Sequence, residues 1–326
     1  MSSCQTRSYR AGKVADEGFP VADVSEHLAE DDAVVWVDLV EPDQDLLHQL
    51  ADELGLHELA VEDALTPHQR PKLDHYATHD FLSCHAVRVD PDAGELDKAE
   101  IDVFIGDRWL ITVRDRGSFF DMDAVVERWD RSPDLAAHGV GYLLYGLLDV
   151  IVDGYFTVVQ DFDEFYDEVS DLIFDDRPLD PGQQRKWFRM RRSLVRFHRL
   201  VVPVREAVSA LMRHDQTTDA DDLYPYYQDV YDHLLRVGES TDSLRELVST
   251  IVETNLSLRD YRQNQAMKKV TSWAGIIAVP TLITGWYGMN VPYPGSGRTW
   301  GVLASLALIA LTSGGLYLSF RRRDWL

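Results

Sequence analysis

The chain is poor in cysteine: Cys4 and Cys84 are the only two in 326 residues. Two thiols so far apart in sequence make no disulfide framework, and a reducing compartment is the simpler setting. Positive charge is also short, with 32 Lys and Arg against 55 Asp and Glu, a net charge of −23. So acidic a chain does not neutralise phosphates, which excludes nucleic-acid binding, and it attracts cations. The opening MSSCQTRSYRAGKVADEGFP lacks the apolar core of a signal peptide. Residues 1–30 are therefore expected to form a loose tail. Neither a nucleotide-binding glycine loop nor a nucleophile triad is evident, so no enzyme is expected.

Two stretches near the C-terminus lack charge altogether. Residues 270–289 read VTSWAGIIAVPTLITGWYGM and residues 299–320 read TWGVLASLALIALTSGGLYLSF. Each holds about 20 residues, enough to cross a hydrocarbon core of about 30 Å as a helix. Trp286, Tyr287, Tyr293, Trp300, Tyr317 and Trp325 lie near the ends, where interfaces favour aromatics. Lys268 and Lys269 precede the first stretch, Arg321, Arg322 and Arg323 follow the second, and only Arg298 is basic between them. The positive-inside rule places both ends of this hairpin in the cytoplasm and residues 291–298 outside. No acid lies in either stretch, which argues against a relay of buried carboxylates. Thr271, Ser272, Thr281 and Thr284 are the polar residues of the first stretch. They serve either backbone hydrogen bonds or a wet pore.

Residues 31–220 are expected to form a cytoplasmic α/β domain with a helical hairpin. AVVWVDLV at 33–40 reads as a strand, followed by a helix with Pro42 near its start and Gly55 at its stop. DFLSCHAVRVD and IDVFIGDRWLITVRD read as strands around a turn at 91–94. Residues 141–176 form one acidic helix pattern, including Asp149, Asp153, Asp161, Asp163, Glu164, Asp167, Glu168, Asp171, Asp175 and Asp176. Residues 183–214 form a basic one, with a break at 177–182 between them. The two faces either pair with each other or leave an acidic surface that collects Mg²⁺. From about residue 222, apolar residues step by three and four from Val230 to Leu258, with no Gly or Pro from Glu239 to Ala274. A stalk over 221–269 is expected to continue into the first span, 270–290, for roughly 100 Å in all. The second span is 299–320 and a basic cytoplasmic end is 321–326.

Two spans cannot enclose a pore, so a conducting protein would need a ring of subunits. Gly288-Met289-Asn290 ends the first span. A ring of Asn amides would hold hydrated Mg²⁺ without binding it too tightly to release. The same tripeptide also suits a turn that merely ends a helix. His75 and His79 have no Cys or third ligand at zinc spacing.

The Tyr-Gly-Met-Asn end of the first span, the short outer loop and the basic run ending Asp-Trp-Leu resemble the CorA magnesium channel family. The likeness extends over residues 36–76, 100–114, 142–156 and 268–290. It implies an α+β cytoplasmic domain of mixed sheet and helices, a long stalk helix and a two-helix transmembrane hairpin, assembled as a funnel-shaped homopentamer. By the family's pattern Gly288, Met289 and Asn290 form the selectivity filter. Asn264, Met267, Val270, Thr281 and Gly285 would line the pore, with Met267 and Val270 in an apolar gate. Arg321, Arg322 and Arg323 would match a basic collar. The resemblance also implies Mg²⁺ as both cargo and regulator, with Asp229, Asp232, Asp242, Glu246 and Glu253 as candidate regulatory ligands. Many members carry an acid in the outer loop, and here residues 291–298, VPYPGSGR, have none. That leaves proton-coupled transport of Zn²⁺, or of Co²⁺ or Ni²⁺, as the alternative on this scaffold. A membrane-tethered sensor that conducts nothing is a third reading.

Overall fold

A computed structural model describes residues 3–66, 69–174, 180–213, 222–289, 292 and 294–326. The chain divides into two compact units, 1–248 and 249–326. The stalk expected at 221–269 is thus shared between them, because its apolar stripe is buried from Val230 through Val248 in the first unit.

The first unit is built on a seven-stranded sheet in the order β2-β1-β3-β7-β6-β5-β4. Its strands are β1 (Ser3–Arg10), β2 (Lys13–Glu17), β3 (Ala33–Val40), β4 (Lys72–His75), β5 (Asp80–Asp90), β6 (Glu95–Ile105) and β7 (Trp109–Arg114). Only β3 and β7 run parallel. Short helices α1 (Val24–Leu28), between β2 and β3, and α2 (Gln44–Leu54) and α3 (Glu58–Leu65), after β3, pack on one face. Val35, Val37, Leu39, Phe81, Phe104, Ile111 and Val113 of the sheet meet Leu47, Leu50, Ala60 and Val61 there. The start and stop of α2 follow from local chemistry. Leu46 N–H donates to Asp43 Oδ1 at 2.9 Å, and Gly55 takes the left-handed conformation, φ 71°, that ends the helix.

The parallel pair is locked by a buried polar chain. Trp36 Nε1–H donates to Thr112 Oγ1 at 3.2 Å, and Thr112 Oγ1–H donates to Asp38 Oδ1 at 2.7 Å. Arg114 adds Nε and Nη2 donors to the same carboxylate at 3.0 and 2.8 Å. Trp36 packs edge-on against Trp129, 5.0 Å between centroids, on α4 (Met122–Arg131). A four-residue helix α5 (Pro133–Ala136) leads into α6 (Val140–Phe174), α7 (Pro181–Leu211) and α8 (Tyr224–Tyr287). By length and hydropathy α6 could cross a membrane, yet 67% of its apolar window is buried. Tyr155 OH reaches the His85 carbonyl of β5 at 2.6 Å, so α6 is a core helix of this unit.

Two expectations are corrected. The N-terminal tail is folded: β1 pairs with β3 from Ser3–Val40 to Arg10–Ala33. Its buried residues are Thr6, Ser8 and Tyr9, with polar Thr6 and Ser8 on one face, so no apolar alternation marks the strand. The hairpin turn to β2 puts Gly12 at φ 73°, where an added Cβ would run into the Pro133 carbonyl. Gly12→Ala is therefore expected to lower the melting temperature by several degrees, a loss of about 1–3 kcal/mol. A thermal melt of the full chain checks this, and an unchanged midpoint would return the segment to a loose tail.

Charge pairing between α6 and α7 is the second correction. Among the described residues no ion pair joins them. They meet through aromatics, Tyr155 and Phe162 against Phe197 at 5.5 and 6.0 Å. The basic side of α7 turns to the β5–β6 turn, Lys186 to Asp92 at 3.9 Å and Arg189 to Glu95 at 3.6 Å. Residues 177–179 of the expected break, and Asp175 and Asp176 at the end of the expected acidic helix, lie outside the described residues.

The second unit holds the end of α8 and α9 (Thr299–Arg322). Mean hydropathy of α9 reaches 1.8, and 6% of its apolar window is buried. The end of α8 is less hydropathic because Thr, Ser, Gly and Pro dilute its Ile and Val, but it too bares apolar side chains. Val270, Ile277, Leu282 and Trp286 are between 63 and 75% exposed. Apolar surface of that extent is compatible with lipid or with further subunits, not with water alone.

Candidate functional site

On α8, Met267, Val270, Thr281 and Gly285 fall within an arc of about 60° at 100° per residue, and Asn264 lies about 60° beyond. They therefore share one side of the helix. Met267 and Val270 are exposed, 59 and 68%. Thr281 Oγ1 donates to the Ile277 carbonyl at 3.0 Å and Thr284 Oγ1 to that of Thr281 at 3.1 Å. These bonds satisfy hydroxyls beside Pro280, whose ring removes a donor from the helix. Ser272 is fully buried.

The helix stops at Tyr287 with two last bonds, Gly288 N–H to Thr284 O at 2.8 Å and Met289 N–H to Trp286 O at 3.3 Å. A Cβ on Gly288 would stand 3.0 Å from the Thr284 carbonyl, so glycine suits this tight exit. Asn290 lies outside the described residues, as do Val291 and Tyr293 of the loop. At the other end of the unit Arg321 and Arg322 close α9, Arg323 follows, and Trp325 stacks on Phe320 at 5.7 Å.

A second constellation lies in the first unit. Asp149 and Asp153 project one turn apart from α6, and His233 meets them from α8. One ligand atom from each lies within 4.8 Å of the others, an arrangement able to hold a metal ion. Asp149 is 2% exposed, and its charge is met by the Arg128 guanidinium of α4. Arg128 Nη1 also stands 3.9 Å from Asp153, and its guanidinium covers the Tyr145 ring at 5.8 Å. An arginine therefore holds the place a metal cation would contest.

The expected regulatory ligands fare unequally. Asp229 lies 3.7 Å from His233 Nε2, beside this cluster. Asp232 accepts from Gln228 Nε2 at 2.9 Å. Asp242 pairs with His198 at 3.2 Å and Arg245 at 2.9 Å, with Glu246 on the following exposed turn. Glu253 belongs to the second unit. The structure thus joins Asp229 to residues not named as regulatory from sequence: Asp149, Asp153, His233 and Arg128. Their signal was present as two i, i+4 pairs, Asp149/Asp153 and Asp229/His233, the first set in an otherwise apolar stretch of α6.

The histidine pair considered for zinc does not converge. His75 Nδ1 bonds Asp80 Oδ1 at 2.7 Å, whereas His79 stacks on Tyr76 at 5.2 Å and burial lowers its pKa.

A mixed-sheet domain, a 64-residue helix and an exposed apolar C-terminal segment define the class: an α+β protein carrying a segment fit to lie in a membrane. The family model for CorA-like Mg²⁺ transporter proteins matches residues 31–322, and the chain belongs to that family. It is 28% identical over 284 residues to the cobalt/magnesium transport protein CorA of Thermotoga maritima, covering 86% of this chain and 80% of that one. It is 26% identical to the divalent cation transporter CmaX of Pseudomonas aeruginosa, over 85% of this chain and 83% of that one. The structure of the CorA magnesium transporter from Methanocaldococcus jannaschii superposes with a TM-score of 0.77 at 22% identity, covering 98% of both chains. The likeness therefore holds through both units, and the chain is a divalent cation transporter of the CorA family.

Proposed function

We propose that the chain forms a homopentameric channel for Mg²⁺ entry, lined by α8 and closed by cytoplasmic Mg²⁺. The observation that carries this is the α8 side bearing Met267, Val270, Thr281 and Gly285. It is uncharged, and its apolar gate residues are exposed in the single chain. A ring of such faces makes a pathway with an apolar neck at Met267 and Val270, able to gate by dewetting. Gly288, Met289 and Asn290 sit at its outer mouth as the filter. Arg321, Arg322 and Arg323 ring the cytoplasmic side of the bilayer. The membrane potential drives a divalent ion inward with about 4.6 kcal/mol per 100 mV, twice the single-charge value.

Regulation is assigned to Asp149, Asp153 and His233, with Asp229 alongside. Mg²⁺ takes one or two carboxylates and keeps its remaining waters, which this group can supply. Fluorescent Mg²⁺ uptake by proteoliposomes tests the whole reading. Uptake should be indifferent to a pH gradient and fall as internal Mg²⁺ rises. Zn²⁺ uptake that tracks an imposed pH gradient would favour proton-coupled transport instead. No flux of any divalent ion would leave the sensor reading.

A further inference from the structure

Away from both constellations, the first unit holds a half-open cavity of about 80 Å³ between α3, the ends of β3 and β7 and the middle of β6. Glu41, Glu100, Asp102 and Asp115 line it, against one cation, Arg114. Asp102 is 5% exposed, and its Oδ1 has no hydrogen-bond partner. A buried carboxylate oxygen left in this way costs several kcal/mol unless something compensates it.

The neighbouring cations are already engaged. Arg114 binds Asp38 through Nε and Nη2, and Arg116 holds Glu41 at 3.1 Å. Lys72, one strand beyond Ser83, the cross-strand neighbour of Asp102, sits 2.6 Å from both Asp63 and Asp74. Glu100 accepts from Gln69 N–H at 2.7 Å and lies 3.8 Å from Lys98 and 3.6 Å from His85. Asp115 is exposed to solvent, so Asp102 is the buried carboxylate of the cavity that no cation neutralises. Burial pushes its carboxyl up to about 7, Ser83 offsets this only in part, and Glu100, Asp63 and Asp115 add to it.

We propose that this cavity is a further divalent-cation site, with Asp102 as a direct ligand and Glu100 and Asp115 holding the waters of the ion. Apart from Arg114, which Asp38 engages, the ionisable lining is carboxylate, with neither Cys nor His in it, and such oxygens select a hard ion such as Mg²⁺ or Mn²⁺ over Zn²⁺. The volume admits an ion with a few waters. The site differs in residues from the Asp149 cluster, and it stands whether or not the chain conducts as proposed above.

Mn²⁺ is the probe, titrated onto the full chain in detergent with bound ion counted by electron paramagnetic resonance. Asp102→Asn keeps the side-chain shape and should lose one Mn²⁺ per chain. Asp149→Asn should lose a different one, and the double variant both. An unchanged count in Asp102→Asn would overturn the proposal and leave a protonated carboxyl as the occupant. Mn²⁺-soaked crystals of the unmodified chain give a reading independent of how the variants fold. An anomalous peak against Asp102 is expected, and its absence at saturating Mn²⁺ overturns the site.

Discussion

Asn290→Ala is expected to abolish Mg²⁺ uptake in proteoliposomes while leaving the protein folded and assembled. In a pentamer the substitution removes five amide side chains from the mouth at once. If each contributes about 1 kcal/mol through hydrogen bonds to the hydrated ion, the loss is about 5 kcal/mol, or more than a thousandfold in occupancy. The neutrality of the group matters as much as its presence. Asn290→Asp keeps an oxygen but adds five charges, and should bind divalent ions tightly and pass them slowly, since release is a condition of conduction. The contrast separates a filter from a plain helix end, for which both variants would conduct normally. Gly288→Ala adds a related test, because its Cβ would crowd the Thr284 carbonyl at 3.0 Å and redirect the chain as it leaves the helix. Undiminished flux in Asn290→Ala would sink the filter assignment.

Strands with an apolar inward face, such as β3 and β5, were readable from their residues, and so was α2, whose Asp43 cap and Gly55 stop are local devices. β1 was not, because its inward Thr6 and Ser8 are held by ladder bonds and by Thr6 Oγ1 donating to Phe19 O at 2.6 Å. A strand whose inward face is polar carries no hydropathy signal. The charged faces of α6 and α7 showed which sides meet water, but not what the opposite sides pack on. Phe197 between Tyr155 and Phe162 decided that. The acidic site was half legible for a similar reason. Helical spacing finds Asp149 with Asp153 and Asp229 with His233, yet α4, α6 and α8 come together only through tertiary packing. Arg128 has no spacing that would announce its place on Asp149. Asp102 was invisible as a site because Glu100 and Asp102 alternate with Ala99, Ile101 and Val103 and so read as a solvent face, whereas both sides of β6 are buried from Ala99 to Ile105.

The engagement of Arg128 leads to a second large effect, with opposite signs at neighbouring residues. Arg128 supplies the positive charge beside buried Asp149 when no metal is bound. Mg²⁺ that binds there must compete with a guanidinium already in place. Asp149→Asn removes a ligand charge and is expected to raise the internal Mg²⁺ needed for half-closure about tenfold or more, equivalent to about 1.4 kcal/mol. Arg128→Gln removes the competitor and should lower that concentration. Arg128→Gln also leaves Asp149 buried without its partner, a loss of about 3–5 kcal/mol in chelator. Added Mg²⁺ should recover much of that stability, as any ligand selective for the folded state does. Uptake measured against graded internal Mg²⁺ gives the first pair of shifts, and melting with and without Mg²⁺ gives the second. If Asp149→Asn and Arg128→Gln moved half-closure in the same direction, the cluster would be an ion-pair network that holds α4, α6 and α8 together. The Mg²⁺ sensor would then lie elsewhere in the assembly.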